Sequence, residues 1–159
     1  MAQIKSLNLI NFKSYSSFNK VINSKNIVLT GPNGSGKTNI LEALSFFSNS
    51  KGLRSEKLNN QIKKNSNGKA VVNINLESNK LDYKLTYEVI NINNEIKKKF
   101  KSDEKNISQN LITKIIKFIW LSPSMDNIMY EGKSIKRKFL DKLISQYNLK
   151  FVTALNEYK

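Results

Sequence analysis

Residues 26–38 read Asn26-Ile27-Val28-Leu29-Thr30-Gly31-Pro32-Asn33-Gly34-Ser35-Gly36-Lys37-Thr38. A short apolar run bounded by polar residues is the pattern of a buried strand. It breaks at Gly31, and three glycines fall within the six positions 31–36. From Lys37 onward Ile40, Leu41, Leu44 and Phe47 recur at three- and four-residue steps, which predicts a helix. Strand, glycine-rich turn and helix frame the pattern G-x-x-x-x-G-K-[ST], the Walker A phosphate loop. Backbone N–H groups must converge on phosphate oxygens there, which needs tight turns and close approach, so glycine suits positions 31, 34 and 36. The following helix aims its free N–H groups and positive dipole end at the same anion. Lys37 offers a compact ammonium to the β- and γ-phosphates, and the Thr38 hydroxyl is a hard oxygen ligand for Mg2+. The candidate cofactor-binding residues are therefore Gly31, Pro32, Asn33, Gly34, Ser35, Gly36, Lys37 and Thr38, for the phosphates of a nucleotide with Mg2+. The alternative is a glycine-rich turn that merely looks like this loop; the flanking strand and helix argue against it.

Working outward, Ile4, Leu7, Leu9 and Phe12 carry an opening strand, with a break near residues 14–17. Residues 48–68 are polar, basic and rich in Asn and Ser, a loop with one short helix. Strands follow over 71–76 and 81–89, joined at Ser78-Asn79-Lys80, and a second hairpin turns about Asn93-Asn94 into a lysine-rich segment. Residues 117–121 (KFIWL) read as another strand. Residues 134–147 read as an amphipathic helix with Ile135, Phe139, Leu143 and Tyr147 on one stripe, and 149–159 have a helical pattern. The order predicts an α/β fold of the phosphate-loop NTPase type with an antiparallel portion at about 69–101. The expected division is 1–122 for the ATP-binding lobe and 123–159 for the start of a helical lobe, incomplete at the C-terminus.

Composition removes several chemistries. The 159 residues hold neither Cys nor His, which excludes disulfides, Cys-ligated zinc, thiol nucleophiles and the Ser-His-Asp triad. No apolar run approaches the ~18–20 residues of a membrane span, and the first fifteen residues lack a signal-peptide layout, so a cytoplasmic protein is expected. Lys and Arg number 27 against 12 Asp and Glu, a formal charge of +15. Nearly all of that excess is Lys, and only Arg54 and Arg137 are Arg. Lys, Asn and Ile share A/T-rich codons, so a biased genome gives the same profile whatever the protein does. A basic patch on one face argues for nucleic acid, whereas a uniform rise in Lys does not.

Nucleotide hydrolysis needs an apolar strand ending in Asp and a carboxylate that positions water. Phe118-Ile119-Trp120-Leu121 ends instead in Ser122-Pro123, and Asp103-Glu104 follows a polar, lysine-rich stretch. No catalytic residue is identifiable, and the chain is better equipped to bind a nucleotide than to cleave one.

The phrase Ile4-Lys5-Ser6-Leu7-Asn8-Leu9-Ile10-Asn11-Phe12-Lys13-Ser14-Tyr15, upstream of the loop, resembles the opening of ABC-type ATPases of the SMC and RecF group. Thr38-Asn39-Ile40-Leu41-Glu42-Ala43-Leu44, Gly52-Leu53-Arg54, Trp120-Leu121-Ser122-Pro123, Met125-Asp126, Glu131-Gly132 and Arg137-Lys138-Phe139-Leu140-Asp141 are similar to the RecF family. The resemblance implies an N-terminal fragment of an ATP-binding, DNA-binding, cytosolic recombination mediator that acts in replication, gap repair and SOS induction. It implies an ATP-dependent homodimer on DNA, other mediator proteins as partners, and slow hydrolysis. The Walker B strand and ABC signature would lie beyond Lys159. Carried over by position, Lys13 would lie near the nucleotide, although Lys cannot reproduce the planar contact of the Arg often found there. The competing classes are another SMC-like ATPase head, which would continue into coiled-coil heptads, and a truncated nucleotide-binding module without function.

Candidate DNA contacts are Lys51, Arg54 and Lys57 in the loop after the Walker helix, and Lys136, Arg137 and Lys138 on the later helix. Lys133 and Lys142 extend that second group, for which a solvated helix face is the plainer reading. Lys97, Lys98, Lys99 and Lys101 read as an edge strand kept soluble by charge, ahead of a phosphate-contacting edge. Trp120 is expected in the core. Phe12 and Tyr15 are expected to pack at a sheet rim rather than to meet adenine.

Overall fold

Ala70, Val72, Ile74 and Leu76 fall at every second position, so a strand through them turns one apolar side to a core. A computed structural model of the chain describes residues 2–48, 52–54, 56–121, 130 and 132–147. The chain divides at Ile116/Lys117 into two compact units, each taken by itself here. The sequence-expected division at 122/123 lies outside the described residues.

The first unit is built on one six-stranded antiparallel sheet. Its strands are β1 (Gln3–Phe12), β2 (Tyr15–Val21), β3 (Lys69–Ser78), β4 (Leu81–Ile92), β5 (Glu95–Ser102) and β6 (Lys105–Asn106), in spatial order β2-β1-β3-β4-β5-β6. Three two-residue turns, Asn79-Lys80, Asn93-Asn94 and Asp103-Glu104, have positive φ at both residues. That geometry follows the right-handed twist of the strands, and Asn and Asp tolerate it best. The register puts Leu9 beside Val72, Val72 beside Tyr87 and Tyr87 beside Phe100, so one apolar row crosses four strands.

That face is the core. Leu7, Leu9, Phe12, Val72, Ile74, Leu85, Tyr87 and Val89 are buried on it. Over it lie α1 (Lys37–Ser45), whose end carries Phe46 and Phe47, and α2 (Gln109–Ile115). Phe46 stacks on Tyr87 with ring centroids 5.1 Å apart, and Phe12 meets Phe46 edge-on at 6.1 Å. The α2 helix is pinned by Ser78 Oγ, which donates to the Ile115 carbonyl at 2.8 Å. Sequence periodicity did not reveal α2 or the short β6.

The opposite face is polar. Thr86 Oγ1 donates to Asn73 Oδ1 at 2.8 Å, and Lys69 and Lys101 both pair with Glu88. Burial alone would raise the Glu88 pKa. The Lys101 hydrogen bond and the Lys69 and Lys101 charges outweigh it and hold the carboxyl below the usual range. Lys97, Lys99 and Lys101 fall on this face, while Lys98 sits 5.6 Å from the Phe100 ring centroid and donates to Gln109 Oε1. The β6 strand pairs with β5 at two residues, so most of β5 is an edge.

Two expected strands are corrected. Residues 26–30 form no strand, and Val28 is 84% exposed. Residues 117–121 likewise form none, with Leu121 exposed and Trp120 half-buried rather than in a core. An apolar run becomes a strand only where a neighbour takes its backbone hydrogen bonds, and no described strand pairs with either run.

The second unit contains α3 (Lys133–Tyr147). The helical pattern of 149–159 lies outside the described residues.

Candidate functional site

The phosphate loop leaves the exposed 26–30 segment and enters α1 at Gly36. Gly34 and Gly36 adopt φ of 81° and 94°, a region L side chains rarely occupy. At Gly36 a Cβ would also fall 2.6 Å from Tyr15 Oη, the outer end of a half-buried side chain, which adds to the demand set by the left-handed φ. Gly36 caps α1 without a side-chain hydrogen bond, and the first turn of the helix has no acidic residue. The positive end of the helix is thus left for an external anion.

Lys37 reaches back across the loop. Its Nζ donates to the carbonyls of Gly31 at 2.7 Å and Pro32 at 2.8 Å. The ammonium thereby sits over the loop's interior, where it can exchange carbonyl partners for phosphate oxygens. Thr38 is exposed on the first turn of α1. Among the described residues no group of three or more Asp, Glu, His or Cys stands together to hold a metal.

Lys13 is taken up by two acids. Its side chain is 9% exposed and pairs with Glu42 Oε2 at 2.5 Å and Glu56 Oε2 at 2.8 Å. Glu42, on the inner side of α1, is fully buried, and a buried carboxylate needs a cation. That demand draws Lys13 under the helix rather than toward the loop. The sequence carried one signal of this, an acid within the apolar stripe Ile40, Ala43 and Phe47.

Phe12 is fully buried in the core. Tyr15 is half-buried, donates weakly to the Ser35 carbonyl at 3.4 Å and touches the Phe18 ring. Gln61, missed from sequence, is buried and its Oε1 accepts from Tyr87 Oη at 2.7 Å.

A family model described as the RecF/RecN/SMC N terminal domain matches residues 3–125. The chain belongs to the RecF/RecN/SMC N-terminal domain family. Among curated proteins it is 34% identical over 156 residues to the DNA replication and repair protein RecF of Rickettsia conorii. It is 37% identical over 159 residues to that of Rickettsia typhi. Each alignment covers 98% of this chain and 42% of the relative, so the chain spans less than half the length of the RecF proteins it matches. Among solved structures it superposes on the recombination mediator protein RecF-ATPrS of the RecFOR pathway with a TM-score of 0.84 at 23% identity. That superposition covers 99% of this chain and 42% of the other. The SMC head domain from Thermotoga maritima follows at 0.51 and 21% identity, over 69% of this chain and 40% of that one. The fold is accordingly the N-terminal part of a RecF/SMC-type head.

The candidate DNA contacts fall in both units. Arg54 is exposed with one guanidinium nitrogen 3.8 Å from Glu56, and Lys57 is exposed two residues beyond that acid's neighbour Ser55. Lys51 lies outside the described residues. In the second unit, α3 carries Lys136, Arg137 and Lys138, and Arg137 is exposed with Asp141 3.9 Å away. No helix among the described residues is long and apolar enough to cross a membrane.

Proposed function

We propose that this chain is the nucleotide-binding part of an ATP-dependent, DNA-binding recombination mediator of the RecF kind. The observation that carries the reading is the phosphate loop itself: left-handed glycines, an uncapped helix start, and Lys37 folded over the cradle. The RecF relatives support the choice of ATP and of DNA replication and repair. Gly31 to Thr38 hold the phosphates, with Lys37 on the terminal pair. Thr38 would offer one hydroxyl to the metal, which suits Mg2+ because that ion is otherwise held by phosphates and water.

On the same reading the protein acts in the cytoplasm, in gap repair and SOS induction, and closes as an ATP-dependent dimer on DNA with other mediators. Arg54, Lys57, Lys136, Arg137 and the flanking Lys51 and Lys138 supply phosphate contacts. Filter binding of gapped DNA with and without ATP, across a salt series, tests this. ATP should strengthen binding, affinity should fall as salt rises, and Lys37→Ala should abolish the ATP effect. ATP-stimulated binding that survives Lys37→Ala would sink the reading, and a flat salt response would remove the basic contacts.

A further inference from the structure

We infer that Asn33-Gly34 is a site of spontaneous deamidation that a bound nucleotide shields, the shielding resting on the ATP-binding reading above. The sequence holds two Asn-Gly pairs, Asn33-Gly34 and Asn67-Gly68. Glycine after asparagine leaves the main-chain nitrogen with no neighbouring side chain to hinder it, so both pairs have the composition for attack on the asparagine side chain. Their surroundings set them apart.

Asn33 and Gly34 are exposed at the centre of a turn that the Ser35 N–H closes by donating to the Pro32 carbonyl at 3.3 Å. That bond uses the Ser35 nitrogen. Among the described residues neither the Asn33 side chain nor the Gly34 N–H has a protein partner. Asn67 is also exposed, but it is tied at both ends. Its Oδ1 accepts from Asn11 Nδ2 at 3.2 Å, and the Gly68 carbonyl accepts from the Asn91 N–H at 2.8 Å, at the entry to β3. Cyclisation at Asn67 must break the side-chain bond and bend a residue fixed by the sheet; at Asn33 it breaks neither.

Charge favours the same pair. The attacking species is the Gly34 nitrogen without its proton, an anion. The uncapped start of α1 and the Lys37 ammonium, held on the Gly31 and Pro32 carbonyls, set positive charge around the loop and stabilise that anion. Water is the one co-reactant. The Gly34 nitrogen bonds to Asn33 Cγ, the Cγ–Nδ2 bond breaks, and ammonia leaves with the proton that the Gly34 nitrogen gave up. Water then opens the cyclic imide at either carbonyl, giving aspartate or isoaspartate at position 33. Either product sets a carboxylate in the cradle, where it repels phosphate, and isoaspartate also lengthens the main chain. With nucleotide bound, phosphate oxygens take the loop's N–H groups, and the Gly34 nitrogen is no longer available to attack.

Incubation of the full chain in mildly alkaline buffer, with and without ATP and Mg2+, followed by peptide mapping in the mass spectrometer, reads both pairs in one sample. Asn33 should convert about tenfold faster than Asn67, and saturating ATP should slow Asn33 about tenfold while leaving Asn67 unchanged. The aged chain should lose ATP affinity in step with conversion at Asn33. Asn33→Gln, whose longer side chain cyclises far more slowly, should keep through the same incubation whatever ATP affinity it starts with. Equal rates at the two pairs would overturn the inference, as would ATP that binds yet leaves the Asn33 rate unaltered, or equal losses of affinity in the aged parent and the aged variant. A chain that binds no ATP while Asn33 still outpaces Asn67 would keep the modification site and bring down the functional reading, and the shielding with it.

Discussion

Val72 and Val28 sit in runs of nearly the same composition, Ala70-Val71-Val72-Asn73-Ile74 and Asn26-Ile27-Val28-Leu29-Thr30, and meet opposite fates. Val72 is fully buried in a strand paired on both sides, while Val28 is 84% exposed in a segment with no strand. Both runs are mostly apolar, four residues of five in the first and three of five in the second, but their backbone partners differ. The sheet holds the buried core of the first unit, while the segment leading into the glycine-rich loop is exposed.

The contrast predicts a large asymmetry between identical substitutions. Val72→Ala should cost about 2–3 kcal/mol from lost burial and a residual cavity. Val28→Ala should stay within about 0.5 kcal/mol, as for other exposed positions. Denaturant titration of the two variants checks this, and equal losses would mean that 26–30 is packed after all.

A smaller effect tests how the sheet side is locked to the loop after α1. Tyr87→Phe leaves the buried Gln61 Oε1 without its donor and should destabilise by about 1–3 kcal/mol. Burial raises the Tyr87 pKa well above its ordinary 10.0, against the lowering effect of the Gln61 hydrogen bond. The folded state therefore favours the neutral phenol, and stability should fall as pH rises past the unfolded value near 10.0. Alkaline melting curves of Tyr87→Phe should lose that limb.

The smallest effect belongs to the polar face. The Glu88 carboxyl is held below its ordinary 4.5, so its contribution is present above that pH and lost as pH falls through the depressed value. Glu88→Gln should flatten the acid limb of stability below about pH 4.5 by lowering neutral melting slightly toward the acid value. An acid limb identical to the unmodified chain's would show that Lys69 and Lys101 do not hold this carboxylate.

Much of this was legible in the sequence where the signal is local. Alternation marked β3 and β4, Asn93-Asn94 marked the turn between β4 and β5, and the loop with its helix followed from residues 31–47. Non-local features were not legible. Whether 26–30 and 117–121 pair depends on neighbours elsewhere in the fold, which an apolar run cannot announce. The family resemblance put Lys13 near the nucleotide, from its slot after Asn11-Phe12, and its side chain pairs with a carboxylate 29 residues away in the chain. The α2 helix is seven residues with a short apolar content, below what periodicity resolves.

The measurement closest to the central claim is calorimetric titration of the full chain and its Lys37→Ala variant with ATP and with AMP. A phosphate-reading loop predicts that ATP binds far more tightly than AMP and that Lys37→Ala weakens ATP by about 100-fold, the worth of its charge-assisted contacts, while AMP is little affected. Equal affinities for ATP and AMP, or an ATP affinity that Lys37→Ala leaves intact, would contradict the account.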